Sequence, residues 1–448
     1  MKLLEQIKRN SGLALIDEHH SLTYEQLFER AKTLSAKLNA RQVVALVMEN
    51  SIASITDYIA CLIAQAPMLL LSDPAELDNY REYRPSYLVH SNQVTPLHNA
   101  HDSSAAHSDL RLLLSTSGST GRPKLVRLSS KNLDANTASI VNYLEISSQC
   151  RSITSLPLTY SFGLSILNSY LWAGASLVVT DLGITEKKFW TLMKHYSVSS
   201  LSGVPFHFET LMRMRFLKMR LPALKVFTQA GGKLQTDVLR AFGEHCQANN
   251  QRFYVMYGQT EAAPRISYLP FDHLLSKIGS IGTAIPGGKL LLINEDGEEI
   301  SSADQEGELV YKGENVMMGY ATRFNDLKLG YGEKTLHTGD LARRDKDGFF
   351  YITGRKNRFI KMQGKRLSLS HLEETLQQRG VAESVCLGED DSLIVAFTET
   401  ENESTIAKYL QELNINPAYY QFFVLENIPR TSSGKVEYNT LSKWIGLA

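Results

Sequence analysis

Apolar and polar positions near the start of the chain recur with two different periods. Leu27, Ala31 and Leu34 return at helical spacing, and Thr23 followed by Gln26 predicts a capping box opening that helix. Val43-Val44-Ala45-Leu46-Val47 is an unbroken apolar run of strand length. A second helical stretch, 52–63, leads to the strand Met68-Leu69-Leu70-Leu71, which makes one βαβ unit. The alternation continues for most of the chain and predicts an α/β fold with largely parallel, buried strands. Residues 91–108, rich in His, Ser and Asn, read as a surface connection. From about Lys277 short strands are broken by Gly287-Gly288, Asp296-Gly297, Glu306-Gly307 and Asp347-Gly348, which predicts an antiparallel β-rich subdomain. After Arg355 the chain is locally basic and then resumes an α+β pattern to its end.

Composition narrows the classes. A length of 448 residues suggests two or three cores. Lys+Arg and Asp+Glu both number 47, and a net charge of zero argues against binding to nucleic acid or an anionic membrane through the overall field. With 43% hydrophobic and 21% charged residues the chain is not of a disordered type. Cys61, Cys150, Cys246 and Cys386 lack any C-x-x-C spacing, which suits small buried side chains in a reducing compartment. Lys2, Glu5, Lys8 and Arg9 interrupt the first ten residues, so no secretory leader is expected. The run from Cys61 to Leu71 is about half the ~20 residues of a membrane span. A cytoplasmic protein is expected.

The segment carrying the most chemistry is Leu112-Leu113-Leu114-Ser115-Thr116-Ser117-Gly118-Ser119-Thr120-Gly121-Arg122-Pro123-Lys124. A buried strand runs into a loop of glycines and hydroxyl residues that ends in lysine. Glycines let backbone N–H groups approach oxyanions, hydroxyls add donors and the lysine neutralises charge, so the loop reads as a phosphate cradle. It is not a Walker A loop, because Pro123 separates the glycines from Lys124 and Leu125 follows.

Other segments join it. They are Ser21-Leu22-Thr23-Tyr24-Glu25-Gln26-Leu27, Leu156-Pro157-Leu158-Thr159-Tyr160-Ser161-Phe162-Gly163, Gln229-Ala230-Gly231-Gly232, Tyr257-Gly258-Gln259-Thr260-Glu261, His337-Thr338-Gly339-Asp340 with Gly354-Arg355, and Pro429-Arg430-Thr431-Ser432-Ser433-Gly434-Lys435. In this order and spacing the chain resembles the AMP-forming adenylating superfamily of acyl- and aryl-CoA synthetases, peptide-synthetase adenylation domains and firefly luciferase, as a short stand-alone member. Chemistry agrees residue by residue. Tyr257 offers a ring to a purine, Thr260 a hydroxyl to a phosphate, and Glu261 a hard oxygen ligand for Mg²⁺.

The resemblance implies that residues 116–121 with Lys124 bind phosphates, and that Thr260 and Glu261 act at the α-phosphate and metal. Gly231, Gly232, Tyr257, Gly258 and Gln259 would border the nucleotide, and Asp340 would take the ribose hydroxyls with Arg355 nearby, although an Asp–Arg surface pair is an alternative. Tyr160, Phe162, Gly203, Val204 and Pro205 would line the acid path. Histidine often stands in the family where Tyr160 does, which leaves a gating role open. Gly364 would lie by the thiol tunnel, Asn357 would be the hinge, and Lys435 the catalytic lysine. The implied organisation is a large amino-terminal part, 1–356, with its β-rich subdomain at about 277–356, and a mobile domain, 358–448. Family members are commonly longer, so a trimmed first subdomain is expected. The cations Arg343, Arg344, Arg355, Lys356, Arg358, Lys361, Lys365 and Arg366 read as a groove for ATP, CoA phosphates or an acidic carrier.

The implied reaction is ATP-dependent formation of an acyl-adenylate, followed by transfer to the thiol of CoA or of an acyl carrier protein. No acidic residue stands in 160–165 to pair with an α-ammonium group, which favours a small to medium carboxylic acid over an amino acid. An amino-acid-adenylating enzyme that loads a carrier protein, and a non-catalytic nucleotide-binding scaffold, are the alternatives.

Overall fold

Thr23 Oγ1 accepts from the Gln26 N–H at 3.2 Å and Gln26 Oε1 accepts from the Thr23 N–H at 3.0 Å, closing the capping box. The helix it opens, Tyr24–Ser35, buries Tyr24, Leu27, Ala31 and Leu34 on one face. Val44–Val47 is buried at every position and pairs in parallel with Met68–Leu71, with helix Ile52–Ala64 as the crossover. The computed structural model describes residues 1–98, 105–116, 124–356, 358–430 and 436–446, with the side chains of 116, 365, 366 and 439 left aside.

These residues form two compact units: Met1–Leu290 with Tyr311–Leu336, and Leu291–Val310 with His337–Ala448. The first unit contains a seven-stranded sheet in the order Gly319–Ala321, Lys124–Ser129, Leu110–Thr116, Met68–Leu71, Val44–Val47, Tyr87–His90, Gln93–Pro96. Its middle four strands are parallel and the outer three antiparallel. The expected surface connection at 91–108 is revised in part. Gln93–Pro96 returns as an edge strand, where a proline is tolerated, and Ala106 is fully buried. A second sheet lays Ser200–Gly203, Val226–Gln229 and Arg252–Gly258 side by side in parallel, then Arg265–Leu269 and Thr283–Ala284 antiparallel. A third joins Ser21–Thr23, Leu13–Ile16, Ser176–Val178 and Arg151–Ile153.

The predicted β-rich part is a four-stranded sheet of Lys289–Ile293, Glu306–Lys312, Thr335–Arg344 and Phe350–Arg355, most of whose residues belong to the second unit. The last two strands form the hairpin expected at Asp347-Gly348. Beyond it, a three-stranded sheet with helices Leu369–Gln378 and Glu403–Glu412 closes on Leu372, Leu376, Val395, Phe397, Ile406 and Leu410. Cys61, Cys246 and Cys386 are free and buried, as the sequence suggests, whereas Cys150 is half-buried.

One buried carboxyl yields a pH prediction. Asp57, on the crossover helix, is fully buried, and its two oxygens accept from the Asn92 N–H at 3.2 and 3.1 Å. Burial pushes its acid from 3.8 up to about 6, opposed by that hydrogen bond and by His90. The folded state therefore holds the proton more tightly than the unfolded state. The resulting stability is complete below about pH 4 and is lost as pH rises through about 6. Asp57→Asn is expected to stabilise the protein by at most about 3 kcal/mol at pH 8 and to lose that advantage near pH 4, read by urea denaturation at both pH values.

Candidate active site

Three predicted segments meet because their strands are neighbours. Gly203 pairs with Gln229, and Gln229 pairs with Val255, so the carboxyl ends of three parallel strands present Gly203-Val204-Pro205, Gly231-Gly232 and Tyr257-Gly258-Gln259-Thr260-Glu261 along one edge. Such an edge is where open α/β sheets bind ligands. Gly231 has φ +89°, and a Cβ there would stand 2.7 Å from the Tyr160 hydroxyl and 3.1 Å from Val204 Cγ1. A Cβ on Gly232 would meet Pro205 at 3.2 Å. Tyr160, Val204, Pro205 and the two glycines are thus immediate neighbours. Tyr160 lies at the amino end of helix Ser161–Trp172, and the Ser161 hydroxyl is 3.4 Å from that of Thr260. Phe162 is buried.

Thr260 and Glu261 lie in the 3₁₀ turn Thr260–Ala262 that follows strand Arg252–Gly258. Glu261 Oε1 accepts from the Tyr320 hydroxyl at 2.9 Å, and the Glu261 carbonyl accepts from the Met317 N–H at 2.8 Å. Burial, and then the Glu261 carboxylate beside it, raise the Tyr320 phenol well above its ordinary range, so it remains a donor. Lys124 Nζ lies 5.9 Å from the centroid of the same Tyr320 ring. Tyr320 comes from Gly319–Ala321, the edge strand that pairs with Lys124–Ser129. One tyrosine therefore joins the lysine of the expected phosphate cradle to the expected metal ligand.

The stems of that cradle are Leu110–Thr116 and Lys124–Ser129, antiparallel with Thr116 opposite Lys124. Ser117, Gly118, Ser119, Thr120 and Gly121 lie outside the described residues, as do the hinge residue Asn357 and Lys435. On either side of Lys435 in sequence, Arg430 and Val436 form a β-bridge, and the Glu437 N–H donates to the Pro429 carbonyl at 2.8 Å.

Asp340 and Arg355 belong to the second unit and face each other across the hairpin. Arg355 Nε is 2.9 Å from Asp340 Oδ1, with the carboxylate buried and the arginine exposed. The Asp–Arg pair weighed as an alternative does form. Of the eight cations expected to form a groove around it, four pair with carboxylates, Arg355 with Asp340 among them. Arg343 pairs with Asp304, Lys356 with Glu308 and Arg358 with Glu373, and Arg344 donates to the Ser301 carbonyl. Gly364 (φ +77°) follows Gln363 (φ +50°) in a two-residue turn of type I′ character between Phe359–Met362 and Lys365–Ser368.

Two residues of the site escaped the sequence reading. Tyr320 gave no signal, because it lies 59 positions from Glu261. Arg265 did give one, as the charged residue that opens the strand Arg265-Ile266-Ser267-Tyr268-Leu269, where it is buried.

Residues 72–321 match the profile of the family described as AMP-binding enzyme. The chain belongs to this family. It is an AMP-forming ligase, with the α/β architecture and the large and small parts that the motifs imply. This AMP-binding enzyme is 28% identical to an oxalate–CoA ligase of Arabidopsis thaliana, over 73% of its own chain and 66% of that protein. It is 24% identical to the D-alanine–D-alanyl carrier protein ligase of Bacillus licheniformis, over 99% of both chains. The solved o-succinylbenzoate–CoA synthetase of Bacillus subtilis, in complex with AMP, superposes with a TM-score of 0.81 at 22% identity, covering 98% of this chain and 97% of that one. Among the described residues no helix is long and apolar enough to cross a membrane.

Proposed function

We propose that this AMP-binding enzyme condenses a small to medium carboxylic acid with ATP and passes the acyl group to a pantetheine thiol, in the cytoplasm. A carboxylate oxygen attacks the α-phosphorus, the bond to the β-phosphate bridge breaks, and pyrophosphate leaves. The thiol then attacks the acyl carbonyl, loses its proton and displaces AMP. The observation that supports this reading is the convergence of Tyr160, Ser161, Val204, Gly231, Gly232 and Thr260 at the carboxyl ends of three adjacent strands, with Lys124, Tyr320 and Glu261 linked beside them.

The donor set fits Mg²⁺. No group of three or more His, Cys, Asp or Glu side chains clusters among the described residues, and Mg²⁺ commonly takes one or two carboxylates together with substrate phosphates. Glu261 would hold it, and Mg²⁺ would supply charge neutralisation at the phosphates. Thr260 and Lys124 orient phosphate oxygens, Tyr257 and Gly231-Gly232 border the adenine, and Asp340 releases part of its pairing with Arg355 to accept the ribose hydroxyls. Lys435 bridges the acid and the α-phosphate, Gly364 lines the thiol path, and Asn357 is the hinge of a boundary near 356.

Full-length similarity to a D-alanine ligase favours one second reading, an amino-acid-activating enzyme that loads a carrier protein. The acid-pocket segment 160–165 opposes it, since it offers no carboxylate to an ammonium group. ATP–pyrophosphate exchange over fatty, aryl and amino acids decides. Exchange with non-amino acids is expected, exchange with amino acids alone overturns the preference, and ATP binding without exchange returns the protein to a scaffold. CoA and a holo carrier protein, each offered with the acid so identified, then settle the acceptor.

A further inference from the structure

Tyr320 has 44% of its surface exposed, so burial of its ring is not what its place in the strand serves. The pleat decides where it points. In the pairing of Gly319–Ala321 with Lys124–Ser129, Tyr320 stands opposite Val126 and Ala321 opposite Leu125. Ala321 and Leu125 are buried in one core, so Tyr320 faces the other side of the sheet, together with Val126 and with Lys124 two positions before it. That shared face brings Lys124 Nζ to 5.9 Å from the ring centre, while the hydroxyl donates to Glu261 Oε1 at 2.9 Å.

This hydrogen bond is not a chance meeting of two surface side chains, because the backbones beneath them are tied together. The Met317 N–H donates to the Glu261 carbonyl at 2.8 Å, and Asn315 Nδ2 donates to the Ala262 and Arg265 carbonyls at 2.6 and 2.8 Å. Asn315 is buried, and its Oδ1 accepts from the Tyr311 hydroxyl at 2.8 Å, so its amide cannot turn over without losing these bonds. Asn132 Nδ2 holds the same loop through the carbonyls of Glu314 and Val316, both at 2.7 Å. The segment leading to Tyr320 and the turn carrying Glu261 thus share one backbone frame. A fixed backbone still leaves a glutamate its own side-chain torsions. One donor on one oxygen restricts them, and a carboxylate has about four acceptor positions, so the others stay open to a cation. A hydroxyl does this without cancelling the negative charge, which a lysine or arginine in the same place would do.

We propose that Tyr320 is a positioning residue for the metal site, its hydroxyl setting the orientation of the Glu261 carboxylate and thereby the affinity for the divalent cation that accompanies ATP. This rests on the adenylating function proposed above and adds to it a residue that acts through Glu261. Tyr320→Phe is the test, because it deletes one oxygen and keeps the ring beside Lys124. ATP is titrated calorimetrically into the full chain without acid, once with Mg²⁺ in excess and once in EDTA. Tyr320→Phe is expected to keep the metal-free affinity and the thermal unfolding midpoint, and to lose about 10- to 100-fold of the affinity gained with Mg²⁺. In ATP–pyrophosphate exchange KM for Mg·ATP should rise in step while KM for the acid holds. On a Glu261→Gln background the same change is expected to cost nothing further, since the group it acts through is gone. A Mg²⁺-dependent gain that is unchanged in Tyr320→Phe, an equal loss with and without Mg²⁺, or additive losses in the double variant each overturn the inference. Any of these in an enzyme that exchanges pyrophosphate leaves the adenylation reading standing. No exchange with any acid sinks that reading, and the calorimetric ratio still decides the role of Tyr320.

Discussion

With Lys435 replaced by alanine, ATP–pyrophosphate exchange is expected to fall by about 10²–10³, the usual cost of removing one preorganised group from a site where charge develops. Transfer from a supplied acyl-adenylate to the thiol should continue near the unaltered rate. The asymmetry follows from the two half-reactions. Negative charge gathers on the α-phosphate only in the first, and a lysine bridging acid and phosphate acts only there. In sequence Lys435 lies between Arg430 and Val436, which are bridged, and the Glu437 N–H donates to the Pro429 carbonyl. Stopped-flow measurement of both steps checks the prediction, and equal losses would sink the assignment of Lys435 to the first half-reaction.

Gly258→Ala should be nearly as damaging, for a steric reason. A Cβ at Gly258 would stand 1.9 Å from the Pro264 carbonyl oxygen, 2.9 Å from its carbon and 3.1 Å from Arg265 Cα. All three are backbone atoms, so no side chain can rotate away. Relief requires spreading the pairing of Gly258 with Arg265, and that pairing closes the turn carrying Thr260 and Glu261. A shift of about 1 Å in such groups typically costs about 10² in rate, so exchange is expected to drop at least that far. The strain should also lower stability by about 1–3 kcal/mol. Gly297→Ala serves as the control. Gly297 also has a left-handed φ, +86°, but nothing lies within 4 Å of its added Cβ, so stability should fall slightly with exchange unchanged. Thermal unfolding and exchange on both variants separate clash at the site from backbone strain in general, and full exchange by Gly258→Ala would overturn this account of the turn.

Much of the fold was legible because its signals are local. The Thr23 and Gln26 capping box, the all-apolar run at 44–47 and the Asp347-Gly348 turn each depend on residues within a few positions. The antiparallel edge at Gln93–Pro96 was not legible, since a short polar strand at a sheet edge has the composition of a loop. The cationic run from Arg343 to Arg366 was read as a groove because charge signs are visible in sequence. The partners of Arg343, Lys356 and Arg358, which are Asp304, Glu308 and Glu373, are not visible as such, because each lies 15 to 48 positions away. Candidate residues divide in the same way. Tyr257, Thr260 and Glu261 could be named from their order and chemistry, but their nearness to Tyr160, Ser161 and Gly231 had to await the strand order.

By itself, then, the sequence determined the kind of chemistry: glycines and hydroxyls for phosphate, a hard carboxylate for metal, and an acid pocket without a counter-charge for an ammonium group. Only the tertiary structure decided that Tyr320 joins Lys124 to Glu261, that Asp340 pairs with Arg355, and that Arg265 is buried on Phe162 without an acidic partner among the described residues. The reason is physical. Side-chain type and backbone preference are properties of a residue and its near neighbours. Contact between groups dozens of positions apart depends on which strands lie beside one another, and apolar periodicity leaves that order open.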